Sequence, residues 1–353
     1  MKKKILISTG GSGGHVIPAI SIYEHLNEEY EIIISTDKRG LKYMEKNYYQ
    51  IFIVDTPKLN KSILLPISIL KLFFLILKSV FFLKRQKIQV LISTGGYMSI
   101  PLCLAAKLLK INIFLFEPNM IVGKANKFFL NFSKKIICYD KNIIGLQGNQ
   151  KKKIAISNPI LKKNHYQNKN KKEGIFTIMI IGGSQGAKIF DKIMHEIILK
   201  ISKINSLKII HQTSQKNIDF LKKFYTENKV ENIIFSFEQN MDFLIKQSDL
   251  CITRGGASSL AEIAHSNVPF IVIPLPTSKD NHQFENACYY KNKNCCWIID
   301  QVNFDKRKFE ELLINVLKNK DILSQKKKNL ENLTYQNTWN NVNQNLKKII
   351  NEN

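Results

Sequence analysis

The sequence predicts an α/β protein built from two Rossmann-like, doubly wound domains. Three observations predict it. Short runs rich in Ile, Leu and Val recur along the chain, and the strongest end in glycine turns: Thr9-Gly10-Gly11-Ser12-Gly13-Gly14-His15, Thr94-Gly95-Gly96-Tyr97, Gly182-Gly183-Ser184-Gln185-Gly186-Ala187 and Arg254-Gly255-Gly256-Ala257. Each turn opens into a segment of helical periodicity, the strand–turn–helix unit of a parallel sheet. The cycle also starts twice, at Ile5 and at Ile175, on either side of a Lys/Asn-rich stretch between Ser157 and Lys172.

The 353 residues suit two domains of ordinary size. Lys and Arg total 53 against 28 Asp and Glu, a formal charge of +25 that points to a membrane surface, nucleic acid or a phosphorylated substrate. The charge is spread along the chain without an RNA-binding signature or basic–aromatic cluster, so nucleic acid is not expected. Cys103, Cys138, Cys251, Cys288, Cys295 and Cys296 form no C-x-x-C pair and no ligand spacing with His, and are read as reduced thiols of a cytosolic protein. Met1-Lys2-Lys3-Lys4 runs directly into the first strand, so no signal peptide is expected.

The first domain is expected over residues 1–157. Strand Ile5–Ser8, its glycine turn and the helix opened by Val16-Ile17-Pro18 form a phosphate-binding arrangement. Gly11 and Gly13 fit a dinucleotide fingerprint, but Val16 holds its third position; Asp37, after strand Glu31–Ser35, stands where a ribose acid would. A dehydrogenase is one reading of this end. His15 lies at a helix N-terminus, whose positive end favours neutral imidazole; it can act as a general base or simply cap the loop. Ile63–Leu83 is apolar and long enough to span a bilayer. Lys71 and Lys78 would each cost about 2.5–3.5 kcal/mol near the membrane centre. With Ser68 and Arg85 they share one helical stripe. An interfacial helix is therefore expected, with Leu70, Phe73, Phe74, Leu77 and Phe81 toward lipid; the other reading is a helix packed on its own domain. Strands Val90–Ser93, Ile113–Phe116 and Lys134–Tyr139 follow, with Glu117-Pro118-Asn119 after the second and a helix expected over Gly123–Leu130.

The second domain is expected over residues 158–335, with a last helix, about 336–353, returning to the first. Its strands are Ile175–Ile181, Leu207–Gln212, Asn232–Phe235, Leu250–Ile252 and Phe270–Leu275; helices are expected from Met241, over Ser258–His265 and over Phe304–Lys318. The Arg254–Ala257 turn and the following helix N-terminus offer free N–H groups to a diphosphate. Glu262, one turn along, can accept two hydrogen bonds from a ribose diol or can be an ordinary surface acid. The eleven Asp residues are isolated, with no D-x-D, so no carboxylate-held metal is expected; the diphosphate falls to backbone N–H groups, the helix dipole and Arg254.

The motifs GGSGGH at Gly10–His15, GGYMSIP at Gly95–Pro101, GGSQGA at Gly182–Ala187 and RGGASSLAE at Arg254–Glu262 occur in the order and at roughly the spacing of one family. Over its whole length the chain resembles the MurG family of peptidoglycan N-acetylglucosaminyltransferases. The resemblance implies a GT-B fold, two Rossmann-like domains facing a cleft. It implies transfer of N-acetylglucosamine from UDP-N-acetylglucosamine, with inversion and no cofactor, to the 4-hydroxyl of an undecaprenyl-linked muramoylpentapeptide at an anionic inner-membrane surface. In that reading Ser12, Gly13 and Gly14 lie near the acceptor diphosphates, Asn119 contacts substrate, and the wide apolar helix is the membrane patch. Ser184 contacts the nucleotide, the backbone near Glu238 faces uracil, and Ala257, Ser258, Ser259 and Leu260 lie at the diphosphate. Glu262 binds the ribose hydroxyls and Gln283 holds the sugar. The implied base is His15, with Glu117 as the alternative.

The chain departs from the family pattern at three places: Pro118 stands where Gln is usual, Leu161 where Arg is frequent, and His282-Gln283 where paired Gln is common. Leu161 puts the usual Arg contact in doubt. Two other activities fit such a fold. A lipid glucosyltransferase would share the membrane helix but not GGSQGA and GGYMSIP; a UDP-N-acetylglucosamine 2-epimerase would need no lipid acceptor and leave Ile63–Leu83 without a purpose.

Overall fold

The computed structural model describes residues 2–45, 47–57, 65–167, 174–182, 188–238 and 240–352. The chain divides into two compact units, Met1–Lys163 with Asn337–Asn353, and Asn164–Gln336. The division lies beyond 157/158 because the chain leaving the first sheet stays packed there. Ile160 and Leu161 are buried, and the Leu161 carbonyl bonds the His25 ring at 3.0 Å.

In chain order the first unit holds β1 (Lys4–Ser8), α1 (Gly13–Leu26), β2 (Glu31–Thr36), β3 (Ile51–Ile53), α2 (Leu65–Arg85), β4 (Val90–Ser93), α3 (Ile100–Leu108), β5 (Asn112–Glu117), α4 (Lys124–Lys127), β6 (Lys135–Cys138) and β7 (Ile154–Ile156). The second holds β8 (Phe176–Ile181), α5 (Lys188–Ser202), β9 (Leu207–Gln212), α6 (Ile218–Glu227), β10 (Glu231–Phe235), α7 (Met241–Lys246), β11 (Leu250–Thr253), α8 (Ala257–His265), β12 (Phe270–Val272), α9 (His282–Lys291), β13 (Cys296–Ile298), α10 (Lys306–Lys318) and α11 (Lys320–Thr334). The final helix, α12 (Trp339–Asn351), belongs to the first unit, where it packs on α1. Thr338 caps it, its side chain accepting from Asn341 N.

Both sheets are parallel throughout, in the orders β3-β2-β1-β4-β5-β6-β7 and β10-β9-β8-β11-β12-β13. A parallel sheet needs helices on both faces, so its central strands are apolar on both sides. The second unit displays this residue by residue. Ile178, Ile180 and Ile252 enter one apolar cluster, while the intervening Met179, Ile181 and Cys251 enter another on the opposite face. Each strand order reverses at a central pair, β1/β4 and β8/β11. Such switch points open a crevice at the carboxyl ends of the strands, where doubly wound sheets bind ligands.

Two expected elements are shorter than anticipated. The helix expected over Gly123–Leu130 is the single turn α4, because Glu117 draws the Gly123 N–H and the Asn126 side chain toward itself. Strand Phe270–Leu275 ends at Val272; the Leu275 N–H turns to the Gln283 side chain.

Candidate active site

In the first unit, the switch point brings the two glycine turns together. β1 and β4 are neighbours in register, Ser8 beside Ser93, so the loops after them leave from the same edge. His15 of the first loop places Nδ1 2.9 Å from the Thr94 carbonyl. A carbonyl can only accept, so Nδ1 carries the proton, and in the neutral ring the lone pair is on Nε2. Gly95 and Gly96, at φ +89° and +80°, form the bed on which the ring lies. A Cβ at Gly95 would sit 3.3 Å from His15 Cε1, and one at Gly96 would sit 3.4 Å from Cδ2. Ser12 is the N-cap of α1 by backbone position, its carbonyl accepting from His15 N and Val16 N, and the His15 ring joins the first loop to the second through Thr94. Gly13 is buried and Gly14 exposed at the mouth of that helix.

Asp37 has a different task from the ribose contact of a dinucleotide site. Its Oδ1 accepts from Gly11 N at 2.8 Å and Gly40 N at 3.0 Å, and its Oδ2 from Arg39 Nε at 2.7 Å. Burial opposes its ionisation, but the Gly11 N–H, Arg39 and the Gly40 N–H together outweigh burial and hold the carboxyl below the usual range. Asp37 is 2% exposed and both of its oxygens are engaged by the neighbouring loops, so it presents no open carboxylate face to a ribose diol, which counts against the dehydrogenase reading.

Glu117 is similarly occupied. It is 3% exposed. Asn119 N and Nδ2 donate to its Oε1 at 3.3 and 2.9 Å; Gly123 N and Asn126 Nδ2 donate to its Oε2 at 2.8 and 3.0 Å. Glu117 therefore organises the 117–126 loop and orients Asn119.

In the second unit, the turn after β11 is locked from α9. Gln283 Oε1 accepts from Gly255 N at 3.3 Å and Leu275 N at 2.9 Å, and Asn286 Nδ2 donates to Gly255 O at 3.0 Å. A Cβ at Gly255 would fall 2.1 Å from the Gln283 carbonyl oxygen, so only glycine fits. The first amides of α8, at Ala257, Ser258 and Ser259, have no intrahelical acceptor. Leu260 differs from the expectation: its N–H bonds Gly256 O at 2.9 Å and its side chain is fully buried. The Gln283 carboxamide oxygen is likewise committed to backbone, and only its NH2 end is left for a ligand.

Arg254 does not point to a diphosphate. Its NH1 donates to Ile273 O at 2.8 Å and Gln301 Oε1 at 2.7 Å, and the guanidinium lies 4.9 Å from the Phe190 ring centroid. Burial lowers its pKa.

Glu262 lies in α8 with its carboxylate 19% exposed, 3.8 Å from buried His165 Nε2. The Lys246 ammonium donates to the carbonyls of His165 and Gln167, and nearby His265 is lowered to about 4 by burial and by Lys246. Sequence reading missed this support, whose residues are local in space only. Glu238 turns its side chain to cap Asn240 N at 2.8 Å, and its own N–H and C=O bond nothing among the described residues. Ser184 lies outside the described residues.

Helix α2 is long and apolar enough to cross a membrane. Leu83 and Ser79 are buried against the unit and the helix packs on α3. The opposite side exposes Leu70, Phe73, Phe74, Leu77 and Phe81, each by 49–66%. No cluster of metal-binding side chains occurs among the described residues.

Family models match both units: the glycosyltransferase family 28 N-terminal domain over residues 5–138 and its C-terminal domain over residues 177–342. A Pelagibacter ubique (strain HTCC1062) protein, named UDP-N-acetylglucosamine–N-acetylmuramyl-(pentapeptide) pyrophosphoryl-undecaprenol N-acetylglucosamine transferase, is 45% identical and covers 100% of both chains. A Rickettsia bellii (strain RML369-C) protein of the same name is 34% identical, covering 93% of this chain and 94% of its own. Among solved structures, Acinetobacter baumannii MurG aligns over 99% of both chains with TM-score 0.75 at 23% identity, which shows a shared GT-B fold. The UDP-GlcNAc 2-epimerase of Neisseria meningitidis aligns at TM-score 0.68 and 13% identity, over 99% of this chain and 100% of its own. Fold alone thus does not separate transferase from epimerase; the full-length relatives do.

Proposed function

The chain belongs to glycosyltransferase family 28, and from that premise we propose that it moves N-acetylglucosamine from UDP-N-acetylglucosamine to the 4-hydroxyl of lipid-linked muramoylpentapeptide, a step of peptidoglycan synthesis. The end-to-end match to transferases of that name carries the reading.

The acceptor hydroxyl attacks the anomeric carbon of the α-linked donor. The bond to the UDP oxygen breaks, UDP leaves, and a β-1,4 bond forms. His15 Nε2 takes the hydroxyl proton. Its support is the Nδ1–Thr94 contact of 2.9 Å, which fixes the tautomer with a free Nε2 lone pair. Glu117 is the poorer base, since four donors already occupy its oxygens. The donor sits on the second unit. The amides of Ala257, Ser258 and Ser259 and the α8 dipole take the diphosphate charge. Glu262 takes the ribose diol, the free backbone of Glu238 pairs with uracil, and the NH2 end of Gln283 meets the sugar. Ser12, Gly13 and Gly14 meet the acceptor diphosphate, with Asn119 beside it.

The enzyme works at the cytoplasmic face of the cell membrane as a peripheral protein. Helix α2 lies in the interface: one side packs on its own domain, which lipid cannot surround, with Lys78 over the Phe52 ring at its border, while the other presents phenylalanines flanked by exposed Lys71.

The test is transfer of labelled N-acetylglucosamine to a short-chain lipid-linked muramoylpentapeptide with EDTA present. A β-1,4-linked product is expected. Formation of the manno epimer or release of UDP without transfer would replace this reading with the epimerase.

A further inference from the structure

At the carboxyl edge of the first sheet, Arg39 follows β2, the Gly10–His15 loop follows β1, and Gly95–Tyr97 follows β4. These three strands are neighbours, in the order β2-β1-β4. The Arg39 guanidinium lies over the Gly11 backbone: a Cβ at Gly11 would be 3.6 Å from its NH2. Its Nε donates to Asp37 at 2.7 Å, and its NH2 donates to the Tyr97 hydroxyl at 3.1 Å with Met98 Sδ at 3.7 Å. NH1 has no partner among the described residues, and the side chain is 48% exposed. Asp37 in turn is held by Gly11 N and Gly40 N. An arginine with two of its nitrogens braced presents the third in a fixed direction, so binding an anion there costs little side-chain freedom.

We propose that Arg39 is a substrate-binding residue for the acceptor, its free NH1 end contacting the diphosphate beside Gly11–Gly14; this rests on the transferase reading above. The acceptor's reacting hydroxyl and its diphosphate lie at opposite ends of one hexose ring. His15 contacts the loop at Gly95 and Gly96, and Arg39 contacts it at Gly11 and Tyr97. Fixing the diphosphate at one end sets the hydroxyl at the other.

The experiment compares wild type, Arg39→Gln and Arg39→Lys on two acceptor analogues with the same sugar and lipid, joined by a diphosphate or by an uncharged linker of similar length. For R39Q, acceptor KM should rise about 10- to 100-fold on the diphosphate, the range of a charge-assisted hydrogen bond. Its kcat and donor KM should stay within about twofold, and R39K should recover part of the loss because it keeps charge without the planar fork. On the analogue with the uncharged linker wild type and R39Q should converge. An unchanged acceptor KM overturns the proposal. So does an equal loss on both analogues with a lowered melting temperature, which would make Arg39 only a brace of the loops. Wild type that transfers to neither analogue would overturn the transferase reading itself, and this proposal with it.

Discussion

Gly95→Ala tests whether the second glycine turn sets the position of His15, the proposed base. At φ +89° an L-residue costs about 1–2 kcal/mol relative to glycine. The new methyl would lie 3.3 Å from His15 Cε1 and 3.4 Å from Nδ1. Carbon contacts are at ease at roughly 3.5–4.0 Å, so the ring must retreat by a few tenths of an ångström. That motion opposes the 2.9 Å bond to Thr94 O, which contributes about 1 kcal/mol. The sum is about 2–3 kcal/mol, or a melting temperature lowered by about 5–10 °C for a unit of this size. Misplacing a reacting group by about 1 Å can cost roughly 100-fold in rate, and a shift of a few tenths of an ångström a correspondingly smaller part, so steady-state transfer should show kcat down about 3- to 10-fold with donor KM unchanged. His15→Ala should lose about 100- to 10,000-fold. If Gly95 acts through His15, G95A in the H15A background should cost little more, because residues acting as a unit are not additive. A G95A enzyme with near-normal kcat, or a double mutant whose losses multiply, would refute the reasoning.

Three further outcomes follow from the same geometry. Asp37→Asn should lower stability by about 2–3 kcal/mol at neutral pH, the scale of hydrogen bonds to a charged group. Because the folded carboxyl lies below its unfolded value of about 3.9, wild type holds this advantage above that pH and loses it as pH falls through the folded value, so acid denaturation curves of the two proteins should converge. Glu262→Gln should raise donor KM about 10- to 100-fold and leave acceptor KM unchanged, read in the same transfer assay; an unaltered donor KM would remove Glu262 from the ribose. The pair Phe73→Glu and Phe74→Glu should reduce sedimentation with anionic vesicles at least about 10-fold, since each buried phenylalanine contributes about 1.5–3 kcal/mol, while transfer to a water-soluble acceptor persists; equal binding would place the membrane contact elsewhere.

The strand–turn–helix units were legible because their signals are local. Val90–Ser93 and Leu207–Gln212 have the bounds that their composition suggests. The strands that composition missed are β3, β7 and β13, each three residues long and each at a sheet edge. An edge strand pairs on one side only, so it needs neither length nor a continuous apolar run.

The sites divide the same way. Glycine turns at the ends of buried strands announce ligand-binding loops, because only glycine admits the backbone angles found at Gly95 and Gly96. What each neighbouring polar group does is decided by partners far away in the chain. Asp37 stands at the ribose position by spacing, but packing against the first loop gives its oxygens to Gly11, Gly40 and Arg39. Arg254 sits in a diphosphate motif, yet its charge turns inward to Ile273 and Gln301. His15 gains a defined tautomer only from Thr94, which the β1–β4 pairing brings beside it. A hydrogen bond depends on direction over about 3 Å, and directions at that scale exist only once the strands have paired.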